Sequence, residues 1–176
     1  MDPAVASALI AELGKKTSVC WLRYSLYGDP ATEHAVWHVW HEDALLLVAG
    51  GTEQPLPHVV DAEWVEVTMR SKENGGRLVT WVGVPERILP TSPDWDAAVA
   101  ALASARLSIP SLTETPKVWA DRSVVTRIVP NGEVLEVPGS LSDESHAAVP
   151  RPTGAITRGA LPRILHRRKR RRPKLS

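Results

Sequence analysis

Residues 33 to 89 constrain the fold most, because four short runs of strand-forming residues follow one another there. The runs are EHAVWHVWHE, ALLLVAGG, EWVEVTMRSK and RLVTWVGVPERIL. They are rich in Val, Trp, Leu and Thr, and turn signals separate them: Glu42-Asp43, the loop TEQPLP and the tetrapeptide ENGG. Short β-branched and aromatic runs between turns indicate strands. The segment therefore predicts four consecutive β-strands, of which ALLLVAGG is the most buried.

The flanking sequence predicts helices that pack on this sheet, and further strands. Residues 2–13 form an amphipathic pattern that Asp2 can cap and Gly14 can end. The run SVCWLRYSLYG predicts a first strand, and a second helix is predicted to begin after Ser92 as its N-cap. Farther on, VWADRSVVTRIVP predicts one turn of helix and a strand, after which Asn131-Gly132 opens a hairpin. We therefore expect one α+β domain that is mainly β.

The net charge of +1 conceals two oppositely charged parts of the chain. All 20 acidic residues lie at or before Glu144, whereas the sequence from Arg151 onward holds ten basic residues and no acid. Residues 1–150 thus carry 11 positive against 20 negative charges, a net of −9. A basic tail without interleaved aromatic residues suits sequence-independent binding of nucleic acid or another polyanion. The candidate contacts are Arg167, Arg168, Lys169, Arg170, Arg171 and Arg172.

The tail has two other candidate roles, one within the protein and one at a membrane. It can bind the acidic body of its own chain or of a second protomer, although such exposed ion pairs contribute only about 0–1 kcal/mol each and are screened by salt. A role at a membrane surface is disfavoured, because few apolar residues accompany the cations.

Cys20 is the only cysteine, so neither a disulfide within the chain nor a CxxC site is possible. The sequence shows no signal-peptide pattern and no apolar run near 18 residues, so we expect a cytoplasmic protein without a membrane span. His34 and His38 share one strand face and His41 the other, with no acidic or thiol ligand at a useful offset, so no metal site is expected.

The hairpin around ENGG carries the most distinctive cluster of polar side chains. Arg70, Lys72 and Arg77 converge there with the hydroxyl of Ser71. Guanidinium and ammonium groups beside a hydroxyl suit a phosphate, although a solvated hairpin tip is equally compatible with the pattern. The loop entered by Gly50-Gly51 predicts either a ligand-binding wall or a simple connection, since it lacks the spacing of known phosphate-binding glycine motifs.

The stretches VWHVWHEDALLLVAGG, WVEVTMRSK and LVTWVGVPERILPTSPDWDAAVAAL resemble the FMN-binding split-barrel superfamily, which includes pyridoxamine 5′-phosphate oxidase and deazaflavin-using relatives. The resemblance implies a six- to seven-stranded antiparallel split β-barrel with flanking helices over residues 1–140. A linker over 141–160 and a basic tail over 161–176 would follow. It also implies a homodimer that holds FMN or a deazaflavin in a groove between its protomers.

By this resemblance, Arg70, Ser71 and Lys72 would contact the cofactor phosphate, and Gly51, Thr52 and Gln54 would line the ring pocket. The paired Arg and Lys signature of the oxidases is absent from the early strands, so vitamin metabolism is not implied. Two functions follow. One is an oxidoreductase that uses a flavin or deazaflavin, and the other is a non-catalytic module whose tail binds nucleic acid or another polyanion.

Overall fold

The structure is a computed structural model that describes residues 2–26, 31–73, 75–106, 111 and 113–142. The predicted basic tail, with Arg167 to Arg172, and the predicted linker beyond residue 142 lie outside the described residues. In the described part of the chain, no helix is long and apolar enough to cross a membrane.

In the part of the chain that the structure describes, seven strands form one antiparallel sheet, which confirms the predicted fold class. The sheet order is β2-β1-β5-β6-β7-β4-β3. The strands are β1 (Val19–Tyr24), β2 (Thr32–Trp37), β3 (Val39–His41), β4 (Ala44–Ala49), β5 (Val65–Arg70), β6 (Arg77–Ile88) and β7 (Val124–Glu136). The described residues also form three α-helices: α1 (Pro3–Lys16), α2 (Trp95–Ala105) and α3 (Thr115–Arg122).

The connection between β2 and β3 forces the sheet to curl. These strands occupy the two outer positions of the sheet, yet only His38 separates them in the chain. One residue spans only about 3.3–3.6 Å, so the two edges must come close together, and the sheet closes into a barrel. The sequence predicted a single strand across this region, and the break at His38 is the difference.

β4 lies between two apolar cores, as its continuous run of apolar residues predicts. All six of its residues are buried. Leu45 and Leu47 belong to the barrel interior, whereas Leu46 and Val48 pack with Trp95, Leu102 and Trp119 of the flanking helices. Successive side chains of a strand point to opposite faces, so a strand buried on both faces shows no alternation.

β6 and β7 make the longest pairing, and here the sequence prediction is wrong in one respect. Asn131-Gly132 does not open a hairpin, because β7 continues to Glu136 along the same neighbour. Gly83 pairs with Pro130, whereas Trp81 pairs with Val134, so two additional residues of β7 are accommodated in a bulge. Gly132 has a φ of 93° there, which glycine adopts without the penalty of a side chain.

The helix boundaries also differ from the predicted ones. The Asp2 side chain caps α1 through the amide of Ala4 at 2.8 Å, as expected. However, α1 runs through Gly14 to Lys16, and Gly14 is buried where a methyl group would overlap the Trp40 indole. Gly14 therefore serves close packing and not helix termination.

The second helix begins later than its sequence predicts. The N-cap of α2 is Asp94, and Ser92 precedes the helix in a turn, with its hydroxyl donating to the carbonyl of Leu89 at 2.9 Å. The helix predicted near Val118 is eight residues long and not one turn. Both helices pack on the outer face of β4, which agrees with the prediction that the apolar stripe of α2 packs on the sheet.

Candidate functional site

A cleft of about 360 Å³ lies where β5 ends, beside the start of β1. Its lining combines the hairpin after β5 with the segment between α1 and β1. The lining residues are Thr17, Ser18, Val19, Trp21, Arg70, Ser71, Lys72 and Gly75. The structure thus brings Arg70, Ser71 and Lys72 together in one concave surface, which we call the β5 cleft.

Arg70 is held in the β5 cleft by stacking. Its guanidinium carbon lies 4.2 Å from the centre of the Trp21 ring, within the range of cation–π attraction. Trp21 pairs with Thr68 across β1 and β5, so the sheet register places its ring beside the end of β5. The Nε atom of Arg70 is buried and has no hydrogen-bond partner among the described residues. Arg70 is therefore oriented by an aromatic face and keeps an unused donor.

The other donors of the β5 cleft are also uncommitted. The Ser71 hydroxyl accepts from the amide of Glu73 at 3.2 Å, which leaves its proton free to donate. Within the described part of the chain, neither the Lys72 ammonium nor the Ser18 hydroxyl has a partner. The hydroxyl of Thr17 differs, because it donates to the carbonyl of Leu13 at 2.7 Å. Two cations and two hydroxyls thus face the same space.

Arg77 does not belong to this group, which corrects the three-cation cluster expected from the sequence. Arg77 is in register with Arg70 across the hairpin. Its guanidinium contacts both carboxylate oxygens of Glu136, at 2.9 and 3.1 Å, and donates to the carbonyl of Ser142 at 2.6 Å. Both side chains of this ion pair are largely buried. Arg77 thus ties β6 to the end of β7.

The residues predicted to line the ring pocket do not line the β5 cleft. The Gln54 side chain bonds the backbone N–H and C=O of Trp37 at 2.9 and 3.0 Å, and the carbonyl of Val48 at 3.3 Å. Gly51 packs against the Arg122 carbonyl, and Thr52 is exposed. Gln54 thereby joins the end of β2 to β4, across the closure of the barrel.

The three strand histidines have separate environments. His34 stacks on Tyr24 with ring centres 5.3 Å apart, and His41 lies beside Glu42. Burial lowers the pKa of His38 from 6.5 to about 4, and its Nδ1 has no hydrogen-bond partner among the described residues. No group of three or more metal-ligating side chains occurs among the residues that the structure describes.

A second cleft, of about 580 Å³, lies under the loop between β4 and β5. We call it the loop cleft. Its walls are mostly apolar and include Leu56, Val59 and Val124, and three ionisable residues also line it: His58, Asp61 and Arg87. The sequence analysis missed these three, since they are distant in sequence and match no motif. Only the H-x-x-D spacing of His58 and Asp61 hinted at a pair.

The sequence matches no protein-family model and no curated protein. Solved structures do resemble the fold. The heme storage protein HutZ of Vibrio cholerae superposes with a TM-score of 0.57 at 12% identity, over 73% of this chain and 92% of that one. A conserved hypothetical protein of Mycobacterium tuberculosis gives 0.53 at 16% identity, over 70% and 79% of the two chains.

An FAD-binding protein of Mesorhizobium loti gives a TM-score of 0.51 at 13% identity, over 71% of this chain and 87% of that one. At these identities the likeness concerns the fold alone. The chain thus has the seven-stranded antiparallel split-barrel fold, with flanking helices, that the sequence resemblance implied.

Proposed function

We propose that this protein binds a phosphorylated flavin or deazaflavin, and that the β5 cleft holds the phosphate. The unpartnered Nε of Arg70, stacked over Trp21, carries the proposal. A buried donor without an acceptor costs about 1–3 kcal/mol, which a phosphate oxygen would recover. Such a cost is tolerated at a site that a ligand completes.

The donor set fits the chemistry of a phosphate. Arginine offers paired N–H donors in a plane, and Lys72 adds a point charge. Ser71 and Ser18 each supply a hydroxyl that can donate to a remaining oxygen. Val19 and Trp21 add apolar surface beside the cations, and this favours a ligand with an aromatic ring attached to its phosphate.

The ring of the cofactor requires a surface other than the predicted one. Gln54 already makes hydrogen bonds to two strands, so it is not available to a ring without loss of barrel contacts. A bound flavin or deazaflavin would supply hydride transfer, and this chain would supply binding and orientation. An oxidoreductase acting on an unknown small molecule is the activity we infer from such a cofactor.

Two of the structural neighbours support a cofactor-binding role. One is described as FAD-binding and the other as a heme storage protein. FAD and heme are both planar ring systems that carry negative charges. A split barrel with a cationic cleft therefore suits ligands of this class.

The test compares FMN with riboflavin, which lacks the phosphate, by quenching of flavin fluorescence. If the β5 cleft holds the phosphate, the wild-type protein binds FMN more tightly than riboflavin. R70Q should then bind FMN about tenfold more weakly or worse, because it loses a charge-assisted hydrogen bond to the phosphate. Its affinity for riboflavin should change little. The control is R23Q, because Arg23 lies outside the cleft and forms an ion pair with Glu66 on the neighbouring strand. R23Q should bind FMN with wild-type affinity.

The result that contradicts the phosphate assignment is equal FMN affinity in the wild-type protein and R70Q. A deazaflavin phosphate and its dephosphorylated form, titrated in the same way, decide between the two cofactor types. Absence of binding for all four compounds would remove cofactor binding altogether.

A second candidate function is polyanion binding by the basic tail, and the charge division along the chain favours it. Neutralised phosphates release counterions, so the affinity should fall steeply with salt. The test is a gel shift on duplex DNA and RNA at low salt, with and without residues 160–176. Unchanged mobility with both proteins would exclude nucleic acid as the partner.

A further inference from the structure

The loop cleft is built on a firmly anchored loop. The amide of Gly50 donates to the carbonyl of Gln54 at 3.1 Å, and the Ser123 hydroxyl donates to the carbonyl of Gly50 at 3.1 Å. The Tyr24 hydroxyl donates to the carbonyl of Pro57 at 3.0 Å. Leu56 belongs to the barrel core. The protein's own hydrogen bonds and core packing thus hold the walls of the cleft.

His58 is fixed within this loop in an unusual backbone conformation. Its φ is 55°, in the left-handed region that disfavours residues other than glycine and asparagine. The buried side chains of Leu56 and Val59 hold the chain on either side of it. Its Nδ1 lies 2.9 Å from an Asp61 carboxylate oxygen. In the neutral imidazole, Nδ1–H donates to that carboxylate, which orients the ring and leaves Nε2 as a hydrogen-bond acceptor.

Arg87 supplies a permanent cation to the same cleft. It has no hydrogen-bonded or ionic partner among the described residues. The acid that precedes it, Glu86, is already bound by Arg127 at 2.8 and 3.0 Å. Asp61 is engaged by His58. The charge of Arg87 is therefore not neutralised by the acids nearest to it in the cleft or in sequence.

We propose that the loop cleft is a binding site for a small carboxylate with an apolar or aromatic body, in which Arg87 holds the carboxylate. Such a site is independent of the phosphate assigned to the β5 cleft. No comparison with a known protein suggests it.

The composition of the cleft selects this class of ligand. A volume of about 580 Å³ lies within the usual range of small-molecule sites, about 300–1,000 Å³. Proline, leucine and valine side chains form most of its walls, and they favour an apolar body. The planar guanidinium of Arg87 matches the geometry of a carboxylate. Because Asp61 repels additional negative charge, a monoanion suits the cleft better than a phosphate dianion.

The experiment titrates the full-length ¹⁵N-labelled protein with benzoate and, separately, with benzamide, its neutral counterpart of similar shape. Backbone amide shifts report the position and the affinity of each probe. We expect benzoate to shift the amides of Gly50, His58, Val59 and Val124 saturably. Benzamide should bind at least several-fold more weakly, because it offers no charge to Arg87.

One variant and one control complete the test. R87Q should weaken benzoate binding about tenfold, as expected when one charge-assisted hydrogen bond is lost, and leave benzamide binding unchanged. R23Q removes an equal charge outside the cleft and should bind benzoate as the wild-type protein does.

Three outcomes would overturn the proposal. They are benzoate and benzamide binding equally well, R87Q binding benzoate like the wild-type protein, and the absence of saturable shifts at about 10 mM benzoate. A well-dispersed spectrum of each variant shows that the variant is folded, so that lost binding reflects the site and not unfolding.

Discussion

The burial of His38 makes a testable prediction about acid stability. This imidazole is only 3% exposed. Its backbone N–H donates to the carbonyl of Ser18 at 3.0 Å, and its Nε2 lies 3.4 Å from the Thr17 hydroxyl. Burial disfavours the charged form, and the pKa falls to about 4 in the folded protein, against 6.5 for an exposed histidine.

The sign and size of the effect follow from proton linkage. Between about pH 6.5 and pH 4 the unfolded chain binds a proton at His38 that the folded chain does not, so the free energy of unfolding decreases as the pH falls. A folded pKa of about 4 gives a loss of about 2 kcal/mol between pH 7 and pH 5. With a urea dependence of about 2 kcal/mol per M, the unfolding midpoint shifts by about 1 M.

Urea unfolding of the wild-type protein and H38Q at both pH values isolates this contribution. Glutamine does not titrate, so H38Q should lose about 2 kcal/mol less than the wild-type protein between pH 7 and pH 5, whatever its absolute stability. Equal pH dependence in the wild-type protein and H38Q would show that His38 is not buried in the neutral form.

Three further substitutions test the packing, each by the urea midpoint. G14A should destabilise by about 1–3 kcal/mol, because the new methyl group overlaps Trp40. A higher unfolding midpoint for G14A would contradict the close contact between Gly14 and Trp40. Alanine favours a helix more than glycine does, so without that contact the substitution should stabilise the protein. Q54A should cost about 1–3 kcal/mol if Gln54 closes the barrel, and nothing if it only faced a ligand. Glu53 forms an ion pair with Arg106 and accepts a hydrogen bond from the Trp119 indole. E53A should therefore lower the free energy of unfolding by about 3 kcal/mol. E53Q should lower it less, because the glutamine oxygen still accepts from Trp119.

Patterns that depend on neighbouring residues were predictable from the sequence. The run EWVEVTMRSK predicted β5 correctly, and Val65, Val67 and Met69 form its buried face. The apolar run ALLLVAGG was predicted to be the most buried strand, and all six residues of β4 are buried. The turn at Glu42-Asp43 was also correct, and both residues have a positive φ there. In each case the residues that predict the feature lie next to one another in the sequence. The alternation of side chains along a strand is an example of such a local pattern.

Features that depend on distant partners were not predictable in this way. Asn131-Gly132 carries a hairpin signal, but continued pairing with β6 prevails over it, and the pair is accommodated as a bulge. Gly14 resembles a helix terminator, although its small size is needed by Trp40, 26 positions later in the chain. The nearby Arg77 resembled a ligand contact until Glu136 supplied its counter-charge.

The closure of the barrel and the β5 cleft depend on the same short stretch of chain. His38 turns β2 into β3 and so joins the two edges of the sheet. Its amide also binds the carbonyl of Ser18, whose hydroxyl faces the cleft. The residue that closes the barrel therefore also positions one wall of the proposed phosphate site. Because the His38 amide holds this junction together, the geometry of the cleft depends on the closure of the barrel as well as on the side chains at the end of β5.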